Sequence, residues 1–268
     1  MRRLPHGHQP RRAGPQTHDS FRGVPGTFDR AIFALRHARN IGFETQVQTT
    51  VTRRNRNRLA QVAERFAEVH ARVWSLFFLV VTGRALADDD LTAEEYERVF
   101  EFMYGISKIA PFELKTTEAM HCRRYVAQCQ KAEHGSAPEA PSTRMVWRTA
   151  GVSDGSGFVF ISHTGEIFPS GFLPVSAGNV LRDSLVQVYR DSSLFRILRD
   201  TGAREGKCGA CEYQKICGGS RSRAHGQLSG RRSTLRVRAL ARRWRLSSSR
   251  RDSREAADGR RRRWFHHF

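Results

Sequence analysis

The sequence predicts an α/β protein in which helices and strands alternate and a small cysteine-rich segment follows them. Two observations lead to this prediction. Apolar residues at helical spacing alternate with β-rich stretches between residues 27 and 117. Residues 73–81 form a nearly continuous apolar run, which is typical of a parallel strand buried on both faces. The repeated order of strand, helix and strand indicates part of an α/β barrel.

The first predicted elements precede this apolar run. Thr27 is expected to cap the first helix, and Gly42 is expected to end it. The apolar face of that helix consists of Phe28, Ile32 and Leu35. A β-rich strand follows at 45–51, and Asn55 lies in the loop after it. The next helix has an apolar side made of Leu59, Val62, Phe66 and Val69.

Beyond the apolar run, a capping box predicts the start of another helix. Thr92 and Glu95 have the spacing of this motif. The residues of this helix expected to point inward are Tyr96, Val99, Phe100 and Met103. A last strand covers 112–117, and alternation along it places Lys115 and Thr117 on one face. The opposite face then carries Phe112, Leu114 and Thr116.

The charge of the chain is concentrated at its ends. There are 46 Lys and Arg against 26 Asp and Glu, a net charge of +20, which would ordinarily suggest nucleic acid as a partner. Residues 220–268 alone hold 16 arginines and three acids. We interpret 1–17 and 226–268 as disordered or non-native sequence, of the composition that an out-of-frame reading of GC-rich DNA gives. The alternative is a genuine basic tail that binds RNA or anionic lipid.

Apolar stretches long enough for a membrane are missing from this sequence. No uninterrupted apolar run approaches the ~18 residues that a spanning helix needs. The N-terminus also lacks the apolar run of a secretory signal. We therefore expect a cytoplasmic protein without a membrane partner.

The most informative segment is cysteine-rich. It has the spacing C-x2-C-x5-C, formed by Cys208, Cys211 and Cys217. Thiolates this close together favour zinc or an iron–sulfur cluster over a disulfide. Gly218 and Gly219 would let the backbone turn tightly around a bulky centre. His225 is the nearest candidate for a fourth donor, and three cysteines with one histidine also satisfy tetrahedral zinc.

A hairpin is predicted upstream of the cysteines. Residues 158–169 contain two β-rich stretches with a turn at Thr164-Gly165. The Gly- and Ser-rich residues 151–157 are not followed by a helix, so they do not form a phosphate loop. We interpret them as a linker into the hairpin.

These segments carry a family resemblance. Residues 206–213 and 217–224 resemble the auxiliary-cluster segment of radical S-adenosylmethionine (SAM) enzymes with a SPASM or twitch extension. Residues 157–174 resemble the hairpin that opens that extension. Within the superfamily, 170–174 and 115–118 most resemble the branch of siroheme-derived heme biosynthesis.

The resemblance implies a domain organisation, which also covers the chain ends. The expected parts are a disordered or non-native segment at 1–17, the C-terminal portion of a partial radical SAM barrel at 18–133, a linker at 134–144, a SPASM or twitch cluster domain with a β-hairpin at 145–225, and an Arg-rich tail at 226–268, disordered or frameshifted.

The resemblance also implies cofactors and partners. In the intact family a first [4Fe–4S] cluster on a C-x3-C-x2-C motif binds SAM, and a flavodoxin or ferredoxin-type donor supplies electrons. That motif does not occur in this sequence. The two cysteines outside the clustered segment, Cys122 and Cys129, are interpreted as ordinary cysteines on one helix face. An auxiliary [4Fe–4S] cluster would use the three clustered cysteines, with zinc as the alternative. Ser170 lies where many SPASM proteins place another cysteine, so one auxiliary cluster is the most we expect.

The substrate implied is a modified tetrapyrrole or a peptide. Arg84 is a candidate for a carboxylate of SAM or of a substrate, and its alternative role is a solvated arginine near Asp88. Candidate substrate contacts are Lys115, Glu118, Arg123 and Arg124. We expect a fragment of a radical SAM enzyme of heme biosynthesis that is inactive as written. The alternative is a noncatalytic zinc- or cluster-binding module with a basic tail that binds nucleic acid.

Overall fold

The computed structural model describes residues 14–83, 85–135, 153–204 and 206–229. The chain divides into two compact units, Met1–Thr149 and Ala150–Phe268, and each is described by itself. None of the helices in the described part of the chain is both long and apolar enough to cross a membrane.

The first unit alternates helices with parallel strands. Its elements are α1 (Pro15–Arg22), α2 (Thr27–Asn40), β1 (Gln46–Val51), α3 (Leu59–Glu68), β2 (Val73–Phe78), α4 (Ala93–Ser107), β3 (Glu113–Thr117) and α5 (Cys122–His134), with single 3₁₀ turns at Arg56–Arg58 and Ala87–Asp89. The strands form one sheet in the order β1-β2-β3, and both pairings are parallel. The mixed α/β prediction is confirmed for this unit, whose sheet has three strands among the described residues.

The two faces of this sheet differ in chemistry. Trp74 of β2 is fully buried and pairs with Val47 and Leu114 on the neighbouring strands, so these side chains share the face that joins the helix core. Ser75 and Thr117 lie on the other face, where their hydroxyl oxygens are 3.3 Å apart. The predicted alternation along β3 is therefore confirmed: Leu114 enters the core, and Lys115 does not.

The start of α2 differs from the sequence prediction. Gly26 occupies the N-cap position, and Thr27 is the first helical residue. The free backbone N–H groups are satisfied instead by Asp19, whose carboxylate accepts from the N–H of Gly26 at 2.6 Å and of Phe28 at 2.8 Å. The Thr27 hydroxyl donates to the same carboxylate at 2.7 Å. That hydroxyl, with the two N–H groups, holds the pKa of Asp19 well below its usual range despite partial desolvation.

The predicted capping box of α4 is confirmed. The Thr92 hydroxyl accepts the backbone N–H of Glu95 at 3.2 Å, and the Glu95 carboxylate accepts the N–H of Thr92 at 2.9 Å. The apolar side of α4 lies in the core as expected, with Tyr96, Val99, Phe100 and Met103 all buried.

The second unit combines a small antiparallel sheet with short helices. Its elements are β4 (Phe160–Ile161), β5 (Glu166–Phe168), β6 (Gly178–Asn179), α6 (Leu185–Asp191), α7 (Ser193–Arg199), α8 (Gly206–Gly209), α9 (Gln214–Cys217) and α10 (Arg221–Ser229). The predicted hairpin is present as β4 and β5, and Gly165 in its turn has φ +84°. A third strand, β6, pairs with β5.

Two helices of the described residues extend across the expected outer boundaries, and one expected linker segment is folded. α1 begins at Pro15, inside the segment 1–17 that was expected to be disordered, because proline fits the first helical turn. α10 runs to Ser229, past the expected boundary at 225. Residues 153–156 form a closed turn with a buried Asp154, so this part of the presumed linker is packed. Most of the 134–144 linker lies outside the described residues.

Candidate functional site

The three clustered cysteines lie on and between two single-turn helices of the second unit. Cys208 is in α8, Cys217 ends α9, and Cys211 lies between these helices. The backbone N–H of Cys211 donates to the carbonyl of Cys208 at 3.4 Å, which closes the first turn. The N–H of Cys217 donates to the carbonyl of Tyr213 at 2.8 Å and closes the second. Local turns thus bring the spacing seen in the sequence into a compact segment.

The two glycines after Cys217 adopt the backbone conformation that their position predicts. Gly218 has φ +73° and Gly219 has φ +68°, a region that side chains disfavour. A Cβ at Gly219 would lie 3.6 Å from the Sγ of Cys208. The chain therefore wraps closely around this thiol, and the small residue leaves room beside the sulfur.

The pKa of Cys208 is affected by burial and by the charges around its thiol. Burial raises the pKa of Cys208, and negative charge on Cys217 and Cys211 raises it further. Arg221 and Arg204 act in the opposite direction and favour the thiolate. A metal or cluster that binds thiolates would relieve the mutual repulsion of the cysteines.

The donor set of this segment fits a soft metal. All three cysteines are free of disulfides. His225 of α10 is half-buried, and its Nδ1 is buried without a hydrogen-bond partner in the described part of the structure. No three His, Cys, Asp or Glu side chains among the described residues are already arranged to hold a metal ion. The segment therefore supplies donor types that suit a soft metal.

The polar residues that were expected at strand ends lie in different places in the structure. Arg84 lies outside the described residues. Lys115 is exposed on the polar face of the sheet, and Glu118, just after β3, is only 8% exposed. Glu118 also has φ +61°, which is uncommon for a residue other than glycine. Of the candidate substrate residues, Lys115 thus lies within β3 and Glu118 directly follows that strand.

The candidate pair on α5 is used mainly within the helix layer. Arg124 forms an ion pair with Glu97 of α4 and donates to Gln128 at 2.6 Å. Arg123 is half-buried beside it. Because the charge of Arg124 already has a partner, Arg124 is a weaker candidate for a substrate carboxylate than Lys115 is.

Cys122 and Cys129 occupy one side of α5, as expected. Cys122 is fully buried and Cys129 is half-buried. Burial is the main cause that raises the pKa of both thiols. Both cysteines therefore have the environment of structural residues, not of metal ligands.

A cavity that the sequence did not reveal lies in the first unit. Its volume is about 530 Å³, and it is bounded by α1, α2, β1, α3 and the loop after β1. Its apolar wall includes Phe21, Phe28, Ile32, Leu35, Val62 and Phe66. Its lining contains four arginines, Arg22, Arg54, Arg58 and Arg65, and none of its described lining residues is acidic.

The four arginines are not equivalent. Arg54 is held by Asp89 at 2.6 and 2.9 Å, and Arg65 by Glu68 at 2.7 Å. Arg58 is half-buried, and its guanidinium donates to the hydroxyl of Thr17 at 2.6 Å. Among the described residues no carboxylate lies within ion-pair distance of Arg58. A cationic group beside an apolar wall suits a ligand with an apolar body and a carboxylate.

Comparison with curated proteins identifies relatives along most of the chain. No family model matches it. The chain is 38% identical over 213 residues to the AdoMet-dependent heme synthase of Methanosarcina barkeri, which covers 80% of this chain and 61% of that protein. It is 40% identical over 211 residues to the AdoMet-dependent heme synthase of Nitratidesulfovibrio vulgaris, covering 78% and 57%. The pre-heme d1 synthase of Dinoroseobacter shibae is more distant, with 23% identity over 225 residues.

These similarities cover only part of the relatives, and the similarity to solved structures is low in sequence. The chain spans between half and two thirds of the length of the curated relatives it matches. Among solved structures, SuiB of Streptococcus suis superimposes with a TM-score of 0.54 at 18% identity, over 79% of this chain and 48% of that one. The structure of SuiB bound to precursor peptide SuiA gives 0.51, also at 18% identity. At such identities the comparison shows a shared fold and nothing finer.

Proposed function

Because the chain is homologous to radical SAM enzymes of the heme branch over the part it shares with them, we propose that it forms part of a radical SAM enzyme acting on a modified tetrapyrrole. The observation that carries this proposal is the identity of 38% and 40% to two AdoMet-dependent heme synthases across about four fifths of the chain. A peptide is the second substrate class, since SuiB bound to precursor peptide SuiA is among the solved structures of similar fold.

In this proposal the cysteine segment holds an auxiliary [4Fe–4S] cluster. Cys208, Cys211 and Cys217 would be its thiolate ligands, and His225 is the candidate fourth donor. When bound, the cluster would supply a one-electron carrier or an anchoring iron. Gly219 leaves space beside Cys208, and Arg221 offsets the negative charge that thiolates bring. The task of the protein is to hold, orient and shield the group.

The substrate would be held by the first unit. The cavity offers an apolar wall for a flat macrocycle, and Arg58 offers a cationic group for a carboxylate. Lys115 lies on the polar face of β3, and Glu118 directly follows the carboxyl end of that strand, where a parallel sheet places its ligand-binding loops. Lys115 would bind another carboxylate, and buried Glu118 would hold a proton or a hydrogen bond at the substrate. Arg84 remains a candidate for SAM or substrate.

The sequence lacks a C-x3-C-x2-C motif for the first cluster. We therefore propose that this chain by itself does not cleave SAM. Enzymatic activity would require that motif to be supplied with the chain.

Metal analysis with a turnover assay tests the proposal. The full chain is reconstituted anaerobically with iron and sulfide, desalted, and analysed for iron, acid-labile sulfide and zinc. We expect about four irons and four sulfides per chain, and loss of both in the Cys208→Ser variant; the Cys129→Ser variant is the control that should retain them. Release of 5′-deoxyadenosine from SAM under dithionite would refute the proposed inactivity.

Zinc binding by a noncatalytic module is the second candidate. It is favoured by the unpartnered Nδ1 of His225, because three thiolates and one imidazole complete a tetrahedral zinc site. One zinc per chain, no acid-labile sulfide, and loss of zinc in His225→Ala would support the module. Residues 230–268 of the Arg-rich tail in that alternative lie outside the described residues.

A further inference from the structure

A buried carboxylate joins three separate segments of the second unit. Asp154 is 3% exposed, in the turn between Ser153 and Ser156. Its Oδ2 accepts the backbone N–H of Ser222 at 2.8 Å, and its Oδ1 accepts the Ser222 hydroxyl at 2.7 Å. The hydroxyl oxygens of Ser222 and Ser170 are 3.0 Å apart. Three fully or nearly fully buried polar side chains thus form one satisfied network, which fixes its members strongly.

The segment held by this network is the one that follows the cysteines. Ser222 is the second residue of α10. Three residues earlier, Gly219 lies close enough to Cys208 that a Cβ there would be 3.6 Å from the sulfur. The short backbone stretch from Gly219 to Ser222 therefore meets the thiol at one end and the buried carboxylate at the other.

Arg221 lies between these two points in the sequence. Burial lowers the pKa of its guanidinium, whereas negative charge on Cys208 and on Asp154 acts to raise it. The arginine is thus within electrostatic reach of both groups. Displacing the first turn of α10 would move this positive charge relative to Cys208.

We infer that Asp154 is a positioning residue for the cysteine site: by holding Ser222, it fixes the distance of Gly219 and Arg221 from Cys208. Asp154 does not touch the bound group in this arrangement. The inference relies on the proposed function only for the identity of the group that Cys208 binds, and the geometry can be tested without that group.

Thiol alkylation of the metal-free full chain provides this test. Iodoacetamide modification of Cys208 and of Cys211 is followed separately by peptide mass spectrometry. In Asp154→Asn, Cys208 should react about fivefold or more faster than in the wild type, because the wrapped segment opens more often. Ser222→Ala, which keeps the backbone N–H bond, should give a smaller increase. The rate at Cys211 is the internal reference.

Asp183→Asn is the matched control. The carboxylate of Asp183 also accepts a backbone N–H, that of Asn179 at 2.7 Å, but on the sheet side of the unit. This variant should leave the ratio of Cys208 to Cys211 rates unchanged. An unchanged ratio in Asp154→Asn, or an equal increase at both cysteines, would overturn the inference, since the latter indicates general unfolding.

A second measurement separates positioning from simple stability. In reconstituted protein, the reduction potential of the cluster should fall in Ser222→Ala, a change that keeps the charge of Asp154, because Arg221 then stabilises the reduced state less. A variant that loses stability but keeps the wild-type potential and the wild-type alkylation ratio contradicts the inference. A wild-type chain that binds no cluster contradicts the proposed function, and the alkylation ratio still decides the role of Asp154.

Discussion

The carboxylate of Glu95 pairs with the guanidinium of Arg56 at 2.9 Å. Glu95 lies in the first turn of α4 and is 7% exposed, while Arg56 belongs to the 3₁₀ turn after β1. The same carboxylate accepts the backbone N–H of Thr92, and Arg53 lies 3.4 Å from it. One side chain therefore caps a helix and anchors the loop that follows β1, next to the cavity.

Replacing Glu95 with glutamine should destabilise the first unit. Glutamine keeps one acceptor for Thr92 but loses the charge that faces Arg56, so we expect a loss of about 2 kcal/mol in unfolding free energy at neutral pH. Urea denaturation followed by circular dichroism measures this. Glu64→Gln on the exposed side of α3 is the control and should change stability by less than about 0.5 kcal/mol.

The pH dependence of that effect has a definite sign. The Thr92 N–H bond is the main cause that holds the pKa of Glu95 below its ordinary value of 4.5, and the charges of Arg56 and Arg53 lower it further. Because the folded pKa is lower than the unfolded one, the stabilisation is complete above the unfolded pKa and is lost as pH falls through the folded pKa. The difference between wild type and Glu95→Gln should therefore shrink in acid. A difference that grows below pH 4.5 would contradict this assignment.

Trp74 should be the most costly truncation in the first unit. It is fully buried, its ring contacts Phe66 and Phe112 edge-on at 5.2 and 5.9 Å, and its indole N–H donates to Thr49 at 2.9 Å. Trp74→Ala should lower the unfolding free energy by about 3–5 kcal/mol, since it leaves a cavity and an unpaired hydroxyl. Ile109→Ala, at a side chain that is 84% exposed, serves as the control. A loss under about 1 kcal/mol would show that this core is not packed as described.

Gly219→Ala should reduce metal binding beyond its effect on stability. Both Gly219 and Gly23 have positive φ, so alanine costs about 1–2 kcal/mol at either position. Only at Gly219 does the new methyl meet a thiol, whereas at Gly23 nothing lies within 4 Å. Elemental analysis after reconstitution should find less metal per chain in Gly219→Ala and wild-type metal in Gly23→Ala. Equal metal content in the two variants would show that Gly219 makes no contribution to metal binding.

Arg58→Gln should weaken the binding of a carboxylate-bearing macrocycle. The reason is the loss of a half-buried cation that has no described carboxylate partner. Titration of the full chain with Fe-coproporphyrin III, followed by absorbance, should give about a tenfold weaker Kd. Arg36→Gln, on the exposed side of α2 and outside the cavity lining, should leave Kd unchanged. If both variants bind like the wild type, the macrocycle does not use this cavity.

The fold of the first unit was predictable because its signals are local. Alternation along β3 separated Leu114 from Lys115, and the spacing of Thr92 and Glu95 identified the start of α4. The cap of α2 was not predictable in the same way. The capping carboxylate belongs to Asp19, nine residues before Phe28. It lies beside the start of α2 only because the chain turns at Gly23 and Gly26.

The site was predictable only where its residues are close in sequence. The three cysteines and their glycines form one short segment, whereas Asp154 and Ser222 are 68 residues apart and meet through tertiary packing. The cavity has the same origin, since Phe21, Leu35 and Phe66 come from three different helices. The patterns of a single sequence do not predict such tertiary contacts.

The opposed faces of the parallel sheet have a consequence for evolution. A shift of β3 by one residue along β2 would bring Lys115 into the place of Leu114 beside Trp74 and would turn Leu114 toward the polar side. Folding and the proposed role of Lys115 in substrate binding thus depend on the same strand pairing. An insertion or deletion within β3 should damage both at once, whereas substitutions confined to the polar face can alter the choice of ligand while the core stays intact.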